Sequence, residues 1–237
     1  MNKTKQPAST KEGFLNFAKN EYCTTCLSLA CPGSGKTYLL LKCLRAWFDM
    51  NMFDEYHVVL PAFKNEMSGS YDWLETEKKV FVYEKYHKKL GEELVAKQRK
   101  NKELQKKGKL KEMPRIFFCI DDFTSQGKLF ESDAIKSIVT ENRHLFIFSW
   151  FLGHADKGCI KPAVRQNIFF VFIYKLKDNF LHHAFKEYVN FPIDFDDYKK
   201  DFKPFFKEYV IPKQYGALLL GGSRDYSPRV DEWFSED

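Results

Sequence analysis

The sequence predicts an α/β fold in which helices cover both faces of a mostly parallel central sheet, with a basic helical insertion between core strands. Near-continuous apolar runs of strand length recur at Ile116–Ile120, Leu145–Leu152 and Ile168–Tyr174. Helix-forming segments separate these runs, which is typical of strands that are buried on both faces. A glycine-rich loop, Ala30–Thr37, joins the first apolar run to the first helix. Ligands of such folds bind at the carboxyl ends of the strands, so we expect the functional site there.

The length of 237 residues fits one domain over residues 14–237, preceded by a polar, flexible arm at 1–13. No apolar run approaches the ~20 residues that span a bilayer, and the arm lacks the apolar centre of a signal peptide. Several of the six cysteines fall in apolar segments, as in reduced intracellular proteins. Cys23-x-x-Cys26 lacks a second pair at zinc-site spacing, so we expect it to pack in a strand. We therefore expect an intracellular protein that is not secreted and has no membrane span.

The glycine-rich loop lies between a buried strand, Cys26–Ala30, and a helix, Tyr38–Phe48. Glycines allow backbone N–H groups to face a triphosphate, a lysine reaches the β- and γ-phosphates, and a threonine hydroxyl ligates Mg²⁺. Ala30 stands where such loops usually have their first glycine. A chance glycine-rich turn is the alternative, and the flanking strand and helix argue against it. The candidate nucleotide-binding residues are Pro32, Gly33, Ser34, Gly35, Lys36, Thr37 and Tyr38.

The next elements carry the excess positive charge. Short strands at Val58–Leu60 and Lys79–Tyr83 precede a charged helix at His87–Gln105 and a basic connection at Lys106–Pro114. Lys85–Arg115 contains twelve Lys or Arg against four Glu, so its net charge is +8 and the rest of the chain carries −2. Such a cluster can neutralise nucleic-acid phosphates, and a solvated helix face is the alternative. We interpret residues 63–113 as an insertion within the domain.

The clearest strand, Arg115–Asp122, ends in the pair Asp121-Asp122. An acidic residue at the end of the neighbouring strand can hold the Mg²⁺ that bridges the phosphates, so we assign Asp121 to Mg²⁺ through water. Asp122 is expected to orient the attacking water. The alternative for both is a strand-end turn, where aspartate is common. Ser132 is the expected N-cap of a helix that ends near Asn142.

The remaining elements complete the sheet. A Gly153-His154 turn follows the run at Leu145–Leu152, so we expect it to meet the glycine-rich loop and the Asp pair in one crevice. The last strand is expected at Tyr215–Leu220, closed by Gly221-Gly222. Three helices are expected in this half of the chain, at Pro162–Gln166, Asn179–Tyr188 and Phe195–Tyr209.

The order of these motifs resembles poxvirus-type viral genome-packaging ATPases, in the FtsK/HerA-like branch of the RecA-like P-loop motor ATPases. The resemblance spans roughly residues 27–220. It is sharpest at Arg143-His144, which precedes a strand, and at the Pro-x-x-Arg-x-Asn pattern of Pro162–Asn167. Tyr215-Gly216 before the last apolar run also matches. The resemblance implies a motor that uses ATP and Mg²⁺ to move double-stranded DNA into a viral capsid.

The resemblance also implies residue roles and partners. Beside Lys36, which the loop motif already directs to the β- and γ-phosphates, Arg143 is expected to reach into a neighbouring subunit's site. Arg165 is a second candidate for that role. His154 stands where the family has a glutamine that senses the γ-phosphate. The resemblance further implies a homo-oligomeric ring of five or six subunits. It also implies that the protein acts in the host cytoplasm or a viral factory, or is associated with the virion. A capsid vertex or portal protein is a further implied partner.

Two other functions fit the motifs. A nucleotide or nucleoside kinase also needs a phosphate-binding loop, although its lid is usually rich in arginine, whereas the basic segment here is rich in lysine. A nucleotide-gated DNA-binding protein with weak hydrolysis is the second alternative, because His154 replaces the sensor. DNA-stimulated ATP hydrolysis distinguishes the motor from both.

Overall fold

The computed structural model describes residues 14–15, 23–61, 72–126, 128–154, 160–188, 197–212, 216–221 and 229–231. Several predictions concern residues outside this part of the chain: the arm at 1–13, residues 63–71 of the insertion, the loop at 155–159, Phe195, Tyr215 and Gly222.

In the described part of the chain, eight strands form one sheet: β1 Thr25–Leu29, β2 Glu55–Val59, β3 Val80–Tyr83, β4 Ile116–Ile120, β5 Ile147–Gly153, β6 Phe170–Ile173, β7 Ala217–Gly221 and β8 Arg229–Asp231. Their order in the sheet is β3-β2-β4-β5-β1-β6-β7-β8. The strands from β3 to β6 in this order are all parallel, β7 runs antiparallel to β6, and β8 runs antiparallel to β7. The mostly parallel sheet confirms the predicted fold class.

The strand order corrects one expectation. β4, which ends at the Asp pair, is not the neighbour of β1, because β5 pairs with both and lies between them. The carboxyl ends of all three strands still lie at one edge of the sheet, since the strands are parallel. Adjacent strands are ~4.8 Å apart, so side chains must bridge about two strand spacings to connect the loop after β1 with the end of β4.

Helices cover both faces of the sheet. They are α1 Lys36–Asp49, α2 Asp72–Thr76, α3 Lys88–Lys106, α4 Asp133–Thr140, α5 Asn142–Leu145, α6 Pro162–Arg165, α7 Asp178–Tyr188 and α8 Lys203–Tyr209. On one face, Leu44 and Trp47 of α1 pack in the same buried cluster as Phe117 and Trp150. On the other face, α3, α4 and α7 pack in a cluster that contains Phe118. The inner strands β1, β4, β5 and β6 are buried along their whole length, which explains their continuous apolar sequences, whereas the edge strand β3 is only partly buried.

Local boundaries differ from the predicted ones for physical reasons. The helix that starts after Ser132 ends at Thr140, and a separate turn of helix, α5, follows Glu141. Asn142 is buried and its side chain donates to Thr25 on β1, which holds α5 against the sheet instead of letting α4 continue. Ser132 occupies the N-cap position without a side-chain capping hydrogen bond. The short elements α2 and β8 have too few residues for a periodic pattern and were not predicted.

The basic insertion is part of the sheet and of one helical layer. β3 pairs with β2 as a parallel strand, and α3 packs in the cluster beneath β4 through Leu90, Leu94 and Val95. Within the described part of the chain, none of the helices is both long and apolar enough to cross a membrane.

Candidate nucleotide-binding site

The loop between β1 and α1 has the backbone of a phosphate cradle. Gly33 and Gly35 adopt positive φ angles of 73° and 84°, which only glycine accepts without strain. The Ser34 hydroxyl donates to the Cys31 carbonyl oxygen at 2.7 Å and closes a tight turn. Gly35 immediately precedes α1, whose first N–H groups lack helical acceptors and carry the positive end of the helix dipole. The loop therefore presents backbone donors to an anion.

The predicted lysine, threonine and tyrosine occupy the first turn of α1. Lys36 is half-buried and forms no ion pair with the residues that the structure describes. Its ammonium group is thus available to a phosphate. Tyr38 is 40% exposed, and the Lys42 ammonium lies 5.2 Å from the centre of its ring. Pro32 is exposed at the tip of the loop.

Thr37 and Asp121 are brought together although they lie on separate elements. The Thr37 hydroxyl donates to Asp121 Oδ2 at 2.6 Å, and the Asp121 backbone N–H donates to the Val59 carbonyl oxygen at 2.9 Å. The second bond continues the pairing of β4 with β2 and fixes Asp121 at the strand end. A hydroxyl and a carboxylate are the oxygen ligands that Mg²⁺ prefers.

Thr37 and Asp121 alone provide too few ligands for Mg²⁺, so a bound nucleotide must supply others. Among the described residues, no three or more His, Cys, Asp and Glu side chains are grouped closely enough to hold a metal ion. Mg²⁺ demands octahedral coordination, usually completed by waters and substrate phosphates. Thr37 and Asp121 would therefore hold the ion only together with a bound triphosphate.

Asp122 and His154 form the other wall of the site. Asp122 adopts a left-handed backbone with a φ of 52°, and its Oδ1 accepts from the Thr124 hydroxyl at 2.7 Å. His154 Nε2 lies 3.6 Å from the same oxygen, and His154 Nδ1 lies 3.3 Å from the Ala30 carbonyl oxygen. His154 thus contacts both the glycine-rich loop and the Asp pair, and the three predicted segments share one crevice.

Gly153 has a packing role that the sequence analysis did not identify. A Cβ atom at Gly153 would lie 2.4 Å from a ring carbon of Phe123, which follows Asp122 directly. The Gly153 carbonyl oxygen accepts from the Ala30 N–H at 3.0 Å. Gly153 therefore lets the turn that bears His154 approach the turn that bears Asp122. The sequence showed only a glycine at the end of an apolar run and gave no sign that Phe123 would pack against it.

Neutral side chains lie beneath the crevice. Burial raises the pKa of the Cys119 thiol well above its usual range, and the charge of Asp121 adds to the effect. Burial likewise raises the pKa of the Tyr174 phenol. Both groups therefore stay protonated and uncharged near neutral pH.

Arg143 lies at the opposite edge of the sheet. It belongs to α5, which precedes β5, whereas His154 follows β5. β5 runs from Ile147 to Gly153, so the two edges are about 20 Å apart at ~3.3 Å per residue. Arg143 is exposed beside a cleft of about 360 Å³ that is also lined by His144, Gln166 and Asn167. Its side chain cannot reach the crevice of its own chain.

Arg165 lies at the same edge but is engaged within the chain. Its side chain is 14% exposed and forms an ion pair with Glu187 on α7. Its Nη2 donates to the Ile160 carbonyl oxygen at 2.7 Å, and its guanidinium lies 5.9 Å from the centre of the Tyr188 ring. These contacts tie α6 to α7, as expected of a structural arginine.

The basic segment runs from the nucleotide edge to the opposite edge. α3 starts after β3 and ends before β4, so its lysine-rich carboxyl end lies on the Arg143 side of the sheet. Some of its cations are paired, such as Lys97 with Glu55 and Arg99 with Glu141. Several exposed lysines have no ion-pair partner among the described residues: Lys100, Lys107, Lys109 and Lys111.

Solved structures share this fold. The DNA-packaging ATPase B204 from Sulfolobus turreted icosahedral virus superposes with a TM-score of 0.59 at 15% identity, over 87% of this chain and 96% of that one. B204 from Sulfolobus turreted icosahedral virus 2, in complex with sulfate, gives 0.60 at 15% identity, over 91% and 98% of the two chains. The cytoplasmic domain of the type VII secretion ATPase EccC from Thermomonospora curvata gives 0.61 at 12% identity, over 87% of this chain and 25% of that one.

These likenesses show that the chain shares its α/β fold with these proteins. The same viral protein has also been solved with ATPγS, AMPPCP and AMP. No protein-family model matches the sequence, and no curated protein does.

Proposed function

We propose that this protein is an ATP-hydrolysing motor that translocates double-stranded DNA, most specifically into a viral capsid. The observation that carries the proposal is the 2.6 Å contact between Thr37 and Asp121, which joins a phosphate-binding loop to an acidic strand end. The B204 structures of this fold come from viral genome-packaging proteins, and the two compared above cover 87% and 91% of this chain. The resemblance of the motifs to the poxvirus-type packaging ATPases supports the same function.

In the proposed site, the phosphates of ATP lie against the loop from Gly33 to Thr37. Lys36 would neutralise the β- and γ-phosphates. Thr37 would hold Mg²⁺ directly and Asp121 would hold it through water, and the bound ion would supply charge neutralisation for the transferred phosphoryl group. Asp122 orients the attacking water, and His154 senses the γ-phosphate end through its contact with Asp122.

The arginine that completes the site comes from a second copy of the chain. Arg143 is exposed at the edge opposite to its own nucleotide site, so it can serve only a neighbour that stacks head-to-tail. A closed head-to-tail arrangement is a ring, and we propose five or six subunits. Arg165 is the weaker candidate because its guanidinium is already paired with Glu187.

The basic segment is the proposed DNA contact. Its unpaired lysines at the end of α3 and in the following turn can neutralise phosphates without reading base sequence. A capsid vertex or portal protein would be the further partner, in the host cytoplasm or a viral factory.

The test combines ATP hydrolysis, measured with and without double-stranded DNA, with the mass of the assembled particle. The proposal predicts hydrolysis that DNA stimulates and a mass of several subunits. A folded protein that binds ATP but neither oligomerises nor responds to DNA would contradict the motor, and transfer of phosphate to a nucleoside or nucleotide would establish the kinase alternative.

The trans arginine has its own test, which mixes two inactive variants. A ring of Arg143→Ala and Lys36→Ala subunits contains some interfaces where an intact loop meets an intact arginine, so activity should partly return. Lys36→Ala mixed with Asp121→Asn is the matched control, because both residues belong to the same subunit's half of the site and no interface regains both. Equal activity in the two mixtures would contradict the trans role.

One observation favours weak hydrolysis. Asp122 Oδ1 already accepts from the Thr124 hydroxyl and lies next to His154. Fewer acceptor positions of this carboxylate therefore remain for the attacking water. A nucleotide-gated DNA-binding protein would show tight ATP binding, very slow turnover, and DNA affinity that changes with bound nucleotide.

A further inference from the structure

One ion pair joins the basic helix α3 to the segment that carries Arg143. Arg99 Nη2 lies 3.0 and 3.3 Å from the two carboxylate oxygens of Glu141, and 3.4 Å from the Ser137 hydroxyl. Ser137 belongs to α4, and Glu141 is the residue between α4 and α5. A single side chain of the proposed DNA-binding helix therefore contacts the junction that leads to Arg143.

Glu141 sits where it can set the position of α5. Its carbonyl oxygen accepts from the His144 and Leu145 N–H groups at 2.8 and 2.9 Å, which forms the only turn of this helix. The Arg143 N–H is held by Asn142 Oδ1 at 2.6 Å. Apart from Arg99, the Glu141 carboxylate has no hydrogen-bond partner among the residues that the structure describes.

Arg99 has donors to spare for a second anion. Its Nη2 makes all of these contacts, and its Nε and Nη1 have no acceptor within the described part of the chain. Its side chain is 56% exposed. A guanidinium presents donors on more than one edge and binds phosphate in a planar fork, so it can hold Glu141 and a DNA phosphate together.

We propose that Glu141 is a positioning residue. Through it, DNA bound on α3 fixes the position of Arg143, which acts on the neighbouring subunit. Arg99 bridges a backbone phosphate and the Glu141 carboxylate, and this bridge orders the α4–α5 junction. Hydrolysis in the adjoining subunit is then stimulated when DNA is present. This inference rests on the proposed function and adds the route by which DNA regulates the same site.

A purely stabilising role for the pair is disfavoured by its exposure. Glu141 is 41% exposed and Arg99 56%, and exposed ion pairs contribute little to folding. The chain offers a matched pair for comparison. Lys106 and Glu103 are also bridged at 3.0 Å and exposed to 63% and 57%, but both belong to α3 and its carboxyl end.

The experiment compares Glu141→Gln with Glu103→Gln in the assembled full-length protein. Each variant removes one negative charge and breaks one exposed ion pair of the basic helix, so both should keep the wild-type melting temperature and should change DNA affinity by the same amount. In Glu141→Gln, the DNA stimulation of kcat should fall by about fivefold or more, while KM for ATP and the rate without DNA stay close to wild type. Glu103→Gln should remain stimulated as wild type.

A second variant tests the bridge itself. Arg99→Lys keeps the charge but cannot hold two anions through a fork, so DNA stimulation should fall as in Glu141→Gln. The double variant should then show no further loss, because the two residues act in one chain of contacts.

The outcomes separate this inference from the proposed function. If wild type hydrolyses ATP but DNA has no effect, the DNA motor and this inference both fail. If wild type is stimulated and Glu141→Gln is stimulated equally, only the inference is overturned. Additive losses in the double variant would overturn it too, because independent effects exclude a shared route.

Discussion

Replacing Gly153 by alanine should strain the crevice by an amount that the geometry sets. The new Cβ would lie 2.4, 2.7 and 2.8 Å from three ring carbons of Phe123. Favourable carbon contacts are ~3.5–4.0 Å, so the ring or the end of β5 must move by about 1 Å. Phe123 is 1% exposed and packs edge-on against Phe130, with ring centres 5.3 Å apart, so the ring has no open space to enter.

The expected cost is that of an overpacked core. Inserting a methyl group into a filled site costs ~1–3 kcal/mol, and for a chain of this size each kcal/mol lowers the melting temperature by ~2–4 °C. We therefore expect Gly153→Ala to melt about 2–12 °C below wild type. Turnover should fall as well, because the displaced elements carry Asp122 and His154. ATP affinity should change less, since Lys36 and Thr37 lie on α1.

Denaturant unfolding and ATP turnover measure the two effects, and a double-mutant cycle identifies the clash. Phe123→Leu in the Gly153→Ala background removes the ring that the new methyl group meets, so the double variant should be more stable than the sum of the single changes predicts. A Gly153→Ala protein as stable as wild type, or strictly additive single changes, would refute the close approach of these two turns.

The remaining predictions concern the bound nucleotide and DNA. Lys36→Ala should abolish hydrolysis and weaken triphosphate binding in a folded protein, as checked by fluorescent-nucleotide titration beside circular dichroism. Asp121→Asn should weaken binding only when Mg²⁺ is present, whereas Asp122→Asn should bind normally and turn over ~10²-fold more slowly in single-turnover assays; equal effects on binding would contradict this division. Replacing exposed lysines by glutamine should reduce the slope of log K against log salt by ~0.9 per lost duplex contact, and an unchanged slope would exclude this segment from the DNA path. These lysines are Lys106, Lys107, Lys109 and Lys111.

The parts of the site that could be predicted from the sequence are those whose chemistry is local. A glycine at positive φ, a lysine and a threonine must follow one another to make a phosphate cradle, so Gly33–Thr37 show the motif directly. The Asp pair was recognisable because it ends an uninterrupted apolar strand. The position of His154 near the glycine-rich loop could be predicted because a residue that follows a parallel strand must lie at its carboxyl edge.

The features of the fold and the site that could not be predicted depend on contacts between distant segments of the chain. Strand order is set by which surfaces pack together, and nothing in the run at Ile116–Ile120 shows that β5 separates it from β1. The contact between Gly153 and Phe123 joins two turns whose sequences carry no mutual signal. The break between α4 and α5 follows from a buried hydrogen bond of Asn142 to Thr25 on β1, which a helical pattern cannot reveal.

The two arginines show most clearly what three-dimensional context adds. Arg143 and Arg165 both precede a strand and both match the motif pattern, so the sequence could not rank them. Their environments differ: Arg165 is 14% exposed and paired with Glu187, whereas Arg143 faces solvent beside an open cleft. Removing Arg165 would leave Glu187 without its partner and should therefore lower stability. Removing Arg143 should leave the isolated chain intact and affect only hydrolysis in an assembled ring. A melting curve of each alanine variant, set beside its activity in the subunit-mixing assay, therefore separates a structural arginine from one that acts on a neighbouring subunit.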